Sequence, residues 1–191
     1  MTQLAITITG VSPLICNRFT EDAARKATLQ TSSALTSAKG TPREKAEPKL
    51  YLDDKKRPCV PGPNIYRAII DAGKFHKAGK TKVTTQKSSL ICAAATMLTT
   101  DAPIKFKGPW DVDERPVRNP ATGGRFLCWR PRFNEWSLSF EMSLDEDMIS
   151  ENVLRQIVDD AGSKIGLGDF RPDRKGPFGR FVVTSWKVTQ K

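Results

Sequence analysis

The chain has 191 residues, of which 31 are basic and 21 acidic, giving a net charge of +10. That length suits one domain, spanning 1–191, with a core large enough to need no disulfide staples. The positive surplus favours an anionic partner, nucleic acid ahead of a membrane surface. Four scattered cysteines (Cys16, Cys59, Cys92, Cys128) without a C-x-x-C pair, and a single histidine, argue against a zinc site, so neither metal nor cofactor is expected. No apolar run reaches spanning length and the opening residues lack a signal-peptide pattern, so a cytoplasmic protein with no membrane partner is expected.

In chain order, Leu4, Ile6 and Ile8 alternate with polar residues and predict a half-buried strand ended by Gly10 to Pro13. Residues 20–49 are poor in large apolar side chains and read as a flexible insertion, its first half weakly helical and its second half broken by Gly40, Pro42 and Pro48. Leu50 to Pro61 reads as a short hairpin with Asp53 and Asp54 in its turn. A helix follows, capped by Asn64, with Ile65, Ala68, Ile69 and Ala72 on its apolar stripe and Gly73 at its end.

From Ala72 to Thr100 there is no acidic residue, whereas Lys74, Lys77, Lys80, Lys82 and Lys87 lie there with His76. A lysine run without acids reads as a phosphate-facing loop more than as a solvated face. Residues 74–124 together read as a basic insertion. Within it Leu90 to Leu98 is a short helix with a serine cap, or a strand, and Ile104 to Lys107 is a short strand. Asp111 to Pro116 and Asn119 to Gly124 read as loop, with Arg115 and Arg118 adding charge.

Arg125, Arg130 and Arg132 interleave with Phe126, Trp129, Phe133 and Trp136, a pattern suited to a base-stacking platform on a sheet; the alternative is that the aromatics are core. Trp136, Leu138, Phe140 and Met142 then mark a strand with one buried face. Asp145 or Asp147 is the expected cap of a helix whose stripe is Val153, Leu154, Ile157, Val158 and Ala161, closed by Gly162. Phe181 to Val188 is the last strand.

Between that helix and that strand lies the most informative stretch. Residues 161–181 hold five glycines and five basic residues. Gly166, Gly168, Gly176 and Gly179 allow positive φ or close backbone approach. Lys164, Arg171, Arg174, Lys175 and Arg180 suit phosphate, and Phe170 and Phe178 offer stacking faces. The spacing is neither the dinucleotide fingerprint, which follows a strand and opens a helix, nor a Walker loop. The plainer reading is a tight connection whose glycines solve a turn problem.

Strand, helix, strand, strand, helix, strand predicts an α+β domain of ferredoxin-like, RRM-like βαββαβ type with long insertions. Three stretches carry a resemblance to a known group: Ile6-Thr-Ile-Thr-Gly-Val-Ser-Pro-Leu, Val60-Pro-Gly-Pro-Asn-Ile-Tyr-Arg-Ala-Ile-Ile, and Ile165-Gly-Leu-Gly through Gly176-Pro-Phe-Gly-Arg-Phe. They resemble the first strand, the entry to the first helix, and the C-terminal Gly-rich loop with its closing strand in the CRISPR-associated RAMP superfamily. The chain is also similar to short phage-encoded relatives of that group.

The resemblance implies a backbone-type subunit that polymerises along guide RNA in an antiviral defence ribonucleoprotein, with 74–124 as a thumb- or web-like device and other effector subunits as partners. The chain departs from the group in two ways: it is shorter than such subunits, and it has no clear equivalent of the catalytic aspartate of the target-cleaving members, for which Asp111 and Asp113 are the candidates. Three functions remain open. One is a non-enzymatic homo-oligomer on single-stranded RNA or DNA. The second is a guide-processing endoribonuclease using His76. The third is a phage single-strand binding protein or mimic of a host complex subunit.

Overall fold

The computed structural model describes residues 1–20, 40–118 and 123–190. Strand β1 (Thr2–Gly10) buries Leu4, Ile6 and Ile8 on one face, as the period-two pattern requires. After a bend, β2 (Leu14–Ile15) is buried on both residues. Most of the expected insertion, residues 21–39, lies outside the described residues. Its second half is not irregular: Pro42–Ala46 form helix α1. Thr41 accepts from the Glu44 N–H and Glu44 reaches back to the Thr41 N–H, a reciprocal capping box. Ala46 is fully buried against the core, which anchors this segment.

The Leu50 to Pro61 hairpin is present, closed by a Leu52–Pro58 bridge. Asp53 accepts from the Lys55 and Arg57 N–H groups, so it is a turn residue. The Arg57 N–H is the chief cause holding its carboxyl below the usual range. Strand β3 (Cys59–Pro61) leads straight into α2 (Gly62–Ala72). Helix α2 begins at Gly62, not at Asn64. The pre-set φ of Pro63 suits the first turn, and the Gly62 N–H donates to Thr100. The predicted stripe Ile65, Ala68, Ile69 and Ala72 is buried.

A small hairpin follows, β4 (Lys77–Ala78) and β5 (Thr81–Lys82), turning at Gly79 with φ +61°. The Leu90 to Leu98 stretch is both of its alternatives in turn: helix α3 (Ile91–Ala94) and strand β6 (Ala95–Met97). Strand β7 (Asp101–Pro103) pairs with β3, and β8 (Lys105–Phe106) pairs with Trp136 and Ser137.

Asp111 to Arg118 is not loop. It is strand β9, paired over its whole length with β10 (Arg125–Phe133). Its central carboxylate is buried by pairing with arginines, so charge there does not mean solvent. Strand β11 (Trp136–Leu144) buries Trp136, Leu138, Phe140, Met142 and Leu144. Helix α4 (Glu151–Asp160) starts after Ser150, and neither Asp145 nor Asp147 caps it. Gly162 does not end it: a π-turn carries the chain to Ile165, and Gly166 at φ +75° makes the exit. Strand β12 (Phe181–Gln190) closes the domain.

The central antiparallel sheet has the order β12-β1-β11-β6. Taken with the two helices that precede β6 and β12, this is the ferredoxin-like α+β arrangement expected. Helices α2 and α4 cover the face carrying Leu4, Ile6, Ile8, Leu138, Phe140 and Met142, forming one core. Cys16 and Cys59 lie in buried surroundings. Burial pushes both thiols up to about 12, with Cys59 adding to the shift at Cys16 and Asp101 adding to it at Cys59. Among the described residues no helix is long and apolar enough to cross a membrane.

Candidate nucleic-acid interface

The Gly-rich loop folds back on protein backbone. The Gly179 N–H donates to the Pro13 carbonyl, and that of Leu167 to the Gly179 carbonyl. Asp169 donates to Ile15, Gly176 to Arg171 and Phe178 to Phe170. A Cβ on Gly176 would lie 1.7 Å from the Phe170 carbonyl oxygen, and one on Gly179 would lie 1.8 Å from that of Leu167. Gly166 and Gly168 also face protein atoms. These glycines therefore serve the loop's own packing, and the N–H groups named here are not available to a ligand. What the loop presents outward is its side chains.

A hub of buried charge pins the loop to the β9–β10 hairpin. Arg130, only 5% exposed, sends one guanidinium nitrogen 2.7 Å to Asp113 and another 2.7 Å to Asp169. Asp113 also receives Arg115 at 2.7 Å, and Asp169 receives the Asn17 amide at 2.9 Å. Burial works against the Arg130 charge, but the Asp169 and Asp113 carboxylates outweigh it and raise its pKa. Arg130 and Asp113 are thus structural and closed to a ligand. Asp113 is 3% exposed with both carboxylate oxygens held by arginines, and Asp111 accepts from the Asn134 amide.

The expected stacking platform is absent. Trp129 is half-buried with the Lys45 ammonium 4.3 Å over its ring, Phe133 and Trp136 are core, and Phe178 is buried under Arg115 at 4.6 Å. The sheet face away from the helices bears small polar groups, with Thr7 bonded to Ser139 and Thr9 to Thr184. Arg132 is half-buried, with its Nε lacking a partner among the described residues. Exposed phenylalanines remain at Phe170 in the loop, at Phe126, at Phe19, and at Phe75, which the sequence reading did not single out.

Phe75 sits where the two basic stretches meet. Lys74 and Lys164 lie 5.1 and 4.8 Å from its ring. Next to it, His76 Nε2 is 2.9 Å from Asp160, which also takes Lys164 at 2.6 Å. Lys74 reaches Asp173 at 3.6 Å, and Arg171 and Arg174 approach the same carboxylate at 3.7 and 3.8 Å. Three cations on one carboxylate leave a net positive cluster. Lys175, at φ +60°, is exposed beside it, and the Arg180 guanidinium donates to the Ser163 carbonyl.

Two cross-strand pairs carry like charges: Lys77 faces Lys82 in β4–β5, and Arg118 faces Arg125 in β9–β10. Lys80 is exposed in the β4–β5 turn, and Lys87 is exposed farther along the same acid-free run. Like charges directly opposite destabilise a ladder. Their presence suits a surface whose charge is met by something else.

Between the loop and α2 lies a cavity of about 260 Å³, lined by Asn17, Tyr51, Asn64, Arg67, Gly166–Asp169 and Arg171 among others. The sequence signalled only the loop half of it. Among the described residues no group of three or more His, Cys, Asp or Glu is placed to hold a metal ion.

Fold and surface together define an α+β ferredoxin-like domain with a cationic face. No family model matches the chain, and no curated protein matches it. Among solved structures it is similar to a chain of the cryo-EM structure of the Type III-B Cmr-beta complex bound to cognate target RNA. The TM-score is 0.56 at 13% identity, over 98% of this chain and 60% of that one. The likeness is one of fold, and this chain spans less than two thirds of its neighbour's length.

Proposed function

We propose that the protein binds single-stranded nucleic acid, RNA ahead of DNA, without catalysis, and that copies assemble along the strand as the backbone of a CRISPR-like ribonucleoprotein. One observation carries the reading. The acid-free lysine stretch and the Gly-rich loop converge at Phe75 and Asp173, and in the hairpin that follows Phe75 Lys77 faces Lys82 with no carboxylate on either among the described residues. Phosphates would be met by Lys74, Lys77, Lys80, Lys82, Lys87, Lys164, Arg171, Arg174, Lys175 and Arg180, and separately by Arg118 and Arg125 on the β9–β10 hairpin. Phe75 and Phe170 offer exposed rings for sequence-tolerant stacking. The ferredoxin-like neighbour drawn from a target-RNA complex supports this reading.

The test is a fluorescence anisotropy titration with single-stranded oligonucleotides over a range of salt. Replacing Arg171, Arg174 and Lys175 together with Glu should abolish binding while the thermal unfolding curve stays in place. Retained affinity at moderate salt defeats the reading. Purification with and without nuclease then shows whether the protein carries a strand, and electron microscopy whether it forms regular arcs.

A second reading, endoribonuclease activity, rests on the His76–Asp160 contact, since a histidine oriented by a carboxylate is suited to general-base work. Cleavage that His76→Ala removes while binding persists selects it.

A further inference from the structure

We propose that the cavity between the Gly-rich loop and α2 seats one nucleotide of the bound strand, its base inside and its phosphate at the rim on Arg67 and Arg171. The inference rests on the single-strand-binding reading and adds a base-recognising subsite to it. The charge layout sets the orientation. Asp169 lines the cavity wall with one carboxylate oxygen held by Arg130 and Asn17. An anionic group pushed inward would meet that carboxylate, so the neutral part of a ligand goes in and its charge stays out. At the rim Arg67 is mostly exposed and its fork is only partly taken by Asp71. Arg171 is half-exposed, bonded once to the Gly168 carbonyl.

The interior suits a planar, hydrogen-bonding group. Ala68 and Leu167 supply apolar lining. Asn64 and Tyr51 reach the space with amide and hydroxyl groups that bond to no other described residue. Asn17 has one amide proton on Asp169 and its carbonyl oxygen still free to accept. An amide offers both donor and acceptor, as a base edge does. At about 260 Å³ the space is below the usual range for a whole small-molecule ligand, roughly 300–1,000 Å³, and fits a single base.

The experiment compares a single-stranded oligonucleotide with one of the same length and charge in which every base is replaced by an abasic residue. Wild-type protein should bind the abasic strand about tenfold more weakly. Asn64→Ala should narrow the gap between the two affinities while leaving the salt slope unchanged, the remaining gap belonging to stacking on Phe75 and Phe170. Asn64 is exposed on the first turn of α2, so alanine keeps the fold, and a circular dichroism melt checks it. Equal wild-type affinity for both strands, or an Asn64→Ala loss shared equally by both, overturns the subsite and leaves strand binding standing. Absence of binding to either strand overturns both.

Discussion

Removing the Arg130 guanidinium by Arg130→Met tests the charge hub. The substitution leaves Asp113, 3% exposed, with Arg115 as its remaining cation, and Asp169 with the Asn17 amide and the Phe170 N–H. Breaking one side of a buried pair costs about 3–5 kcal/mol. Arg115 stays 2.7 Å from Asp113 with its own side chain 38% exposed, and the Asp169 side chain is 32% exposed. Both facts put the loss at the lower end, about 3 kcal/mol. For a chain of this size that is about 6–12 °C in melting temperature. Urea unfolding followed by tryptophan fluorescence measures the loss as a lower midpoint at unchanged slope. Adding Asp113→Leu should recover much of it, because the stranded charge is gone. A single-variant loss below about 1 kcal/mol, or no recovery in the double variant, refutes the idea that this pair clamps hairpin to loop.

Three further outcomes are expected. Gly179→Ala forces a Cβ to 1.8 Å from the Leu167 carbonyl at φ +70°, and should lower stability by more than about 2 kcal/mol in the same urea assay. Replacing Lys77, Lys80 and Lys82 with alanine should flatten the plot of log binding constant against log salt by about 2, at about 0.7 per lost phosphate contact. Cys16 and Cys59 should resist a thiol reagent at pH 8 in the folded protein, whereas exposed Cys92 reacts. Their folded pKa values near 12 lie above the ordinary thiol value. The unfolded chain therefore releases those protons first, and the stability they support is intact below about pH 8.5 and falls as pH climbs toward 12.

Where one local rule governed a segment, the residues announced it. The alternation in β1 and β11 and the stripes of α2 and α4 each follow from burying one face, so a window of ten residues contains the answer. The acid-free lysine run and the clustered glycines were legible for the same reason: composition is local. Strand β9 was not legible. Asp113, Glu114, Arg115 and Pro116 look like loop until Arg130, 17 residues from Asp113 in the chain, neutralises the buried carboxylate.

The sequence by itself thus determined the ferredoxin-like order of elements and the basic character of two stretches. Tertiary structure alone decided what those stretches do. It turned the loop's glycines toward Phe170 and Leu167 instead of toward a ligand, and buried Phe178, Arg130 and most of Trp129. It joined Lys74 to Asp173 and His76 to Asp160, 84 positions apart. It also built a cavity from Asn17, Tyr51, Asn64, Arg67 and the loop. Periodicity and propensity act between neighbours in the chain, whereas desolvation and charge pairing act between neighbours in space, and only folding fixes who those are.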